Sequence, residues 1–161
     1  MMIKKLDRAI KKLENAKVES YKGKMARLII PKECVEKKDR RIFNYAHQLI
    51  LNSLNVSSTK EMIEGFQVKG ADGNIHFFVG RKEEEFSEDC ALSNNNFHIK
   101  KYKSFVFLLI DKKELGDKET ENRIYNEIIS HLHANSKKDL GTIAEIEDIH
   151  GRIGSLITKK I

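Results

Sequence analysis

The sequence predicts a single α+β domain over residues 1–161: a small mixed β-sheet with a central hairpin and helices packed on its faces. Three observations carry this. Phe66–Lys69 and Ile75–Val79 alternate apolar and polar residues around Asp72-Gly73, a pair that supplies the positive φ of a tight hairpin turn. Ser104–Ile110 (SFVFLLI) is a continuous apolar run bounded by Lys103 and Asp111, as in a strand buried on both faces. Ile42, Phe43, Ala46, Leu49, Ile50 and Leu54 recur at helical spacing, giving one stripe to cover a sheet.

From the N-terminus, Ile3, Leu6, Ile10 and Leu13 predict an amphipathic helix over residues 3–17, with Lys4, Arg8, Lys11 and Lys12 on its polar side. Tyr21–Ile30 follows a β pattern and stops at Pro31. Asp39 is placed to cap the helix that runs to Leu54. Asn55–Gly65 is a connection with one helical turn at Thr59–Ile63, ahead of the hairpin. Residues 81–97 are polar and read as a helical turn and a loop. Two helices are expected to close the chain. Lys118–Ala134 presents Ile124, Tyr125, Ile128, Ile129 and Leu132, and Asp139–Thr158 presents Ile143, Ile146, Ile149, Ile153 and Leu156. Beyond the shared helical period no internal repeat shows.

Composition narrows the class. One proline, nine glycines and a 40% hydrophobic content suit a packed globular chain. No apolar run approaches the roughly 18 residues of a membrane span, and the lysine-rich N-terminus does not read as a secretory signal. Cys34 and Cys90 stand apart, which points to reduced thiols and a cytoplasmic location. Charge is unevenly placed. Residues 1–41 hold 14 basic and 6 acidic residues, net +8 (14 − 6), and the rest hold 16 and 18, net −2 (16 − 18). A basic segment of this kind fits a nucleic-acid or other anionic partner, and equally a solvated lysine face.

Histidines offer weaker signals. His47 lies beside Phe43 and Ile50 on its helix and reads as a residue at the core edge. His131 and His133, two apart on a helix, point in nearly opposite directions and cannot share a metal. Glu147 and His150 read as an intrahelical polar pair. Walker A, G-x-G-x-x-G, G-x-S-x-G and H-E-x-x-H motifs are absent.

Over about residues 39–110 the order of a helix, a strand with Gln67-Val68-Lys69-Gly70, a hairpin turn and a strand continuing into Phe77-Phe78-Val79-Gly80-Arg81-Lys82 resembles the core of the PD-(D/E)XK, restriction-endonuclease-like superfamily. The resemblance implies a divalent-metal-dependent phosphodiesterase acting on DNA or RNA. Gln67 and Lys69 would then be catalytic, sharing one strand face at i and i+2, with Glu61 or Glu64 as a Mg²⁺ ligand. Such chemistry needs hard oxygen ligands and a cation near the phosphate. The sequence departs from that pattern where an acid is expected, since Gln67 is neutral, and no strand bearing an Asp is visible between Leu54 and Phe66.

Two readings of function therefore follow. One is a nucleic-acid-binding protein, with Lys4, Arg8, Lys11, Lys12, Lys22, Lys24 and Arg27 contacting phosphates and Mg²⁺ as cofactor if it cleaves. The other is a non-catalytic interaction or assembly protein that uses its terminal helices to hold a partner or a second copy of itself.

Overall fold

A computed structural model of the protein describes residues 18–37, 40–86 and 97–160. The expected N-terminal helix, with Lys4, Arg8, Lys11 and Lys12, lies outside the described residues. The chain is α+β, as predicted, and divides into two compact units, Met1–Glu83 and Glu84–Ile161.

In the first unit, strands β1 (Val18–Tyr21) and β2 (Met25–Ile30) form a hairpin. A short helix α1 (Lys32–Lys37) and the longer α2 (Arg40–Leu54) follow. A 3-10 turn at Thr59–Glu61 then leads into β3 (Met62–Lys69) and β4 (Ile75–Arg81). The strands form an antiparallel sheet in the order β1-β2-β4-β3. One sheet face carries Ala26, Leu28, Ile30, Ile75 and Val79, and α2 lays Ile42, Ala46, Ile50 and Leu54 against it. Helix α2 concentrates its packing on β2 and β1, so β3 is an edge strand away from the helix's main contact.

The second unit repeats this plan. Strands β5 (Phe97–Lys101) and β6 (Phe105–Asp111) precede a short α3 (Lys112–Leu115) and α4 (Lys118–Leu132). A 3-10 turn at Lys137–Asp139 leads into β7 (Leu140–Glu147) and β8 (Arg152–Lys159). The sheet order is β5-β6-β8-β7, again antiparallel. Its core joins Val106, Leu108, Ile110 and Ile157 to Ile124, Ile128 and Leu132 of α4. Strand β6 is buried on both faces, as its apolar run predicts: Phe105 and Phe107 alternate with Val106 and Leu108, all at 2% exposure or less.

The two units match at a step of 78 residues. Helices α2 and α4 each have 15 residues, and each ends one residue before a non-glycine with left-handed backbone, Asn55 (φ 55°) and His133 (φ 57°). The hairpins turn on Gly73 (φ 88°) and Gly151 (φ 78°). Val56 N–H donates to Leu51 O and Ala134 N–H to Ile129 O, both at 3.0 Å. Ser57 N–H donates to the Glu61 carboxylate, and Asn135 N–H to that of Asp139. Even the bulge recurs, between Glu64 and Gln67 in β3 and between Thr142 and Ala144 in β7. Few side chains repeat, among them Ile50/Ile128, Leu54/Leu132, Ser58/Ser136 and Ile75/Ile153, and this conceals the repeat in the sequence.

Several sequence expectations are corrected. The helix expected over Asp139–Thr158 is the β7–β8 hairpin, and the mixed sheet is two antiparallel sheets. Glu147 and His150 are thus a strand end and a turn residue. Tyr21–Ile30 contains a hairpin turn at Lys22-Gly23, where both residues take positive φ. Strand β5 stands at the end of the segment read as a loop.

A candidate site beside strand β3

The site begins with a bulge. Gly65 sits where an added Cβ would lie 1.9 Å from the carbonyl oxygen of Phe78, so only glycine lets β3 approach β4 this closely. The extra residue shifts the register, and Gln67 then stands opposite Phe77 and Lys69 opposite Ile75. Cross-strand partners share a face, so Gln67 and Lys69 stand on the side of the sheet that carries α2. Because α2 lies chiefly over β1 and β2, that side is left open near β3.

A cavity of about 510 Å³ fills the space. Ile50 of α2, Met62 and Phe66 of β3, and Phe77 and Val79 of β4 form apolar walls. Three polar side chains also line it: half-buried His47, and Thr59 and Gln67, both exposed, which places them at the mouth. The volume falls within the range of ~300–1,000 Å³ common for small-ligand sites, which combine apolar walls with a few polar groups.

Gln67 lines the cavity, and exposed Lys69 follows two positions on along the same face. Glu61 lies in the 3-10 turn before β3, on the order of 20 Å from Lys69 by strand rise. Its carboxylate accepts the Ser57 N–H at 2.8 Å and the Ser57 hydroxyl at 3.2 Å. These hydrogen bonds, that from the backbone first, hold its pKa below the ordinary 4.5. Glu64 pairs with Val79 through the backbone. The structure thus brings Gln67 and Lys69 to one face, and leaves Glu61 engaged with Ser57 at the far end of β3.

Among the basic residues, Lys22 is exposed in the β1–β2 turn and Lys24 is half-buried. Arg27 donates to Glu19 at 2.7 Å with its side chain 13% exposed, and its guanidinium lies 6.0 Å from the Phe78 ring centroid. Tyr21 donates to the same Glu19 carboxylate at 2.6 Å. Arg27 is therefore part of an internal ion pair on the sheet face opposite α2.

The helical pattern sets His47 at the core edge and gives no link from it to Gln67, and nothing in the local sequence joins Thr59, Phe66 and Phe77 to them. One signal was present. A glycine within an apolar strand pattern, as at Gly65, marks a bulge or a close backbone approach. Comparison with protein-family models, with curated proteins and with solved structures returns no match. The first unit holds 18 basic and 10 acidic residues, net +8 (18 − 10), and the second 12 and 14, net −2 (12 − 14). The excess positive charge belongs to the unit that has the cavity. No described helix is long and apolar enough to cross a membrane.

Proposed function

We propose that the protein binds single-stranded nucleic acid through its first unit, with one unstacked base entering the cavity beside β3. The observation that carries this is the cavity's make-up. Phe66 and Phe77 line it with aromatic rings, while His47, Thr59 and Gln67 offer donors and acceptors. Stacking on an aromatic side chain is worth about 1–3 kcal/mol per base and tolerates any base, and an amide can both donate to and accept from a base edge. Lys60, next to Thr59, and Lys69, two residues past Gln67 along β3, are exposed and supply positive charge for phosphates in this reading.

The reading is of binding, without hydrolysis. Glu61, one of the two carboxylates expected as a Mg²⁺ ligand, serves as the acceptor for Ser57 and stands a strand's length from Lys69. Among the described residues, no group of three or more His, Cys, Asp or Glu side chains is placed to hold a metal.

The test is binding of a fluorescein-labelled 12-nucleotide oligothymidylate, measured by anisotropy across a salt series. The proposal predicts saturable binding that weakens steeply with salt, as release of counterions from phosphates requires. Absence of binding would refute it and favour the rival reading, a non-catalytic interaction or assembly protein.

A further inference from the structure

The 78-residue repeat lets the cavity be compared with its counterpart in the second unit. There His47 becomes Tyr125 and Thr59 becomes Lys137, while Gln67 and Lys69 become Glu145 and Glu147. The ammonium of Lys137 lies 4.2 Å from the centroid of the Tyr125 ring, a close cation–π contact. The same ammonium is ion-paired to Glu121 at 3.0 Å, which holds its pKa above the ordinary 10.5. In the first unit the two equivalent positions, His47 and Thr59, both line the cavity.

We infer that the second unit is the closed copy of this site: the Tyr125–Lys137 clasp, anchored by Glu121, occupies the place that His47 and Thr59 leave open, so each chain takes one ligand. The inference rests on the proposed cavity reading and extends it to number and selectivity. Two features act together. The clasp spans the 3-10 turn and α4, as the rim of the open site spans the 3-10 turn and α2. The second unit also loses the positive charge of Lys69, whose counterpart Glu147 is ion-paired with Lys112 at 2.6 Å. It gains the charge of Glu145 in place of Gln67, and like charge disfavours an anionic ligand. The chain's net charge divides in the same sense, +8 (18 − 10) against −2 (12 − 14).

The experiment uses the full chain with ¹³C-labelled isoleucine methyls, because Ile50 lines the open cavity and Ile128 is its equivalent in the second unit, both in the buried core. Indole serves as a neutral aromatic probe that needs no phosphate contact. In the wild type, indole should shift the Ile50 methyl and leave Ile128 unmoved. The double variant Tyr125→His, Lys137→Thr should bring Ile128 into the response. The converse pair, His47→Tyr with Thr59→Lys, should abolish the Ile50 shift. That pair should also weaken oligothymidylate binding about 10-fold, within the span of one lost base stack, despite the added positive charge. Equal shifts at both methyls in the wild type, or no gain at Ile128 on removing the clasp, would overturn the inference. The expected indole pattern without oligothymidylate binding would sustain the inference and refute nucleic acid as the ligand. Methyl spectra without probe show whether each variant is folded.

Discussion

Replacing Asp148 probes the C-terminal hairpin, the element that sequence periodicity misassigned as helix. Asp148 is 4% exposed and closes the β7–β8 turn. Its carboxylate accepts the backbone N–H of His150 at 2.9 Å and of Arg152 at 2.8 Å, and Arg152 Nε donates to it at 2.7 Å. Burial raises its pKa, but the hydrogen bonds from Arg152 and His150 outweigh burial and leave it below 3.8. Hydrogen bonds to a charged acceptor contribute about 1.5–3 kcal/mol each. His150 is exposed, so water recovers part of that loss in Asp148→Ala; the Arg152 ion pair, with Arg152 40% exposed, adds no more than ~1 kcal/mol. The expected destabilisation is ~2–4 kcal/mol for Asp148→Ala. For Asp148→Asn it is ~1 kcal/mol, because the amide oxygen still accepts both backbone N–H groups. Urea denaturation followed by far-UV circular dichroism reads this as a fall in midpoint of about 1–2 M at unchanged slope. A loss below ~0.5 kcal/mol for the alanine variant, or equal losses for both variants, would refute the turn-locking argument.

Other expectations follow from the same geometry. His76 is 9% exposed, and burial, aided by Arg27, depresses its pKa below 6.5. The unfolded chain therefore binds the proton more readily. The stability from this neutral ring is fully present above pH 6.5 and falls as pH drops through the folded value; His76→Gln should flatten the slope of stability against pH in that window. Gly65→Ala should cost more than ~2 kcal/mol, since its methyl would collide with the Phe78 carbonyl, and thermal melting should show the loss. Leu28→Ala, in the fully buried centre of the first sheet, should cost ~2–5 kcal/mol in the same assay. Lys69→Ala should weaken oligothymidylate binding and lower the salt dependence by about one phosphate contact, leaving stability within ~0.5 kcal/mol; an unchanged salt slope would remove Lys69 from the interface.

Much of the fold was legible where local pattern and tertiary role agree. The Asp72-Gly73 hairpin, helix α2, helix α4 and strand β6 all read correctly because turn chemistry and one-sided burial leave a clear period. The C-terminal segment failed for a physical reason. Ile143, Ile146, Ile149, Ile153 and Leu156 share helical spacing, yet Ile143 is the extra residue of a bulge and Ile149 is 50% exposed in a turn. A bulge shifts the period of two by one residue and mimics a helix. The better signals were Gly151, needed at positive φ, and the high content of β-branched residues. The cavity was only half legible. Gln67 was found through its strand, but His47 and Thr59 join it only once α2 and the bulge of β3 are placed in space, which no local pattern specifies.

The most direct measurement of the central claim is the affinity of oligothymidylate for wild type and for Phe66→Ala, taken at two salt concentrations. Phe66 supplies an aromatic wall and no charge. The account predicts a 5- to 150-fold loss of affinity, the span of about 1–3 kcal/mol for one base stack, with the salt slope unchanged. Equal affinity in the two proteins would contradict it: the cavity would then play no part in binding, and charge alone would account for any association.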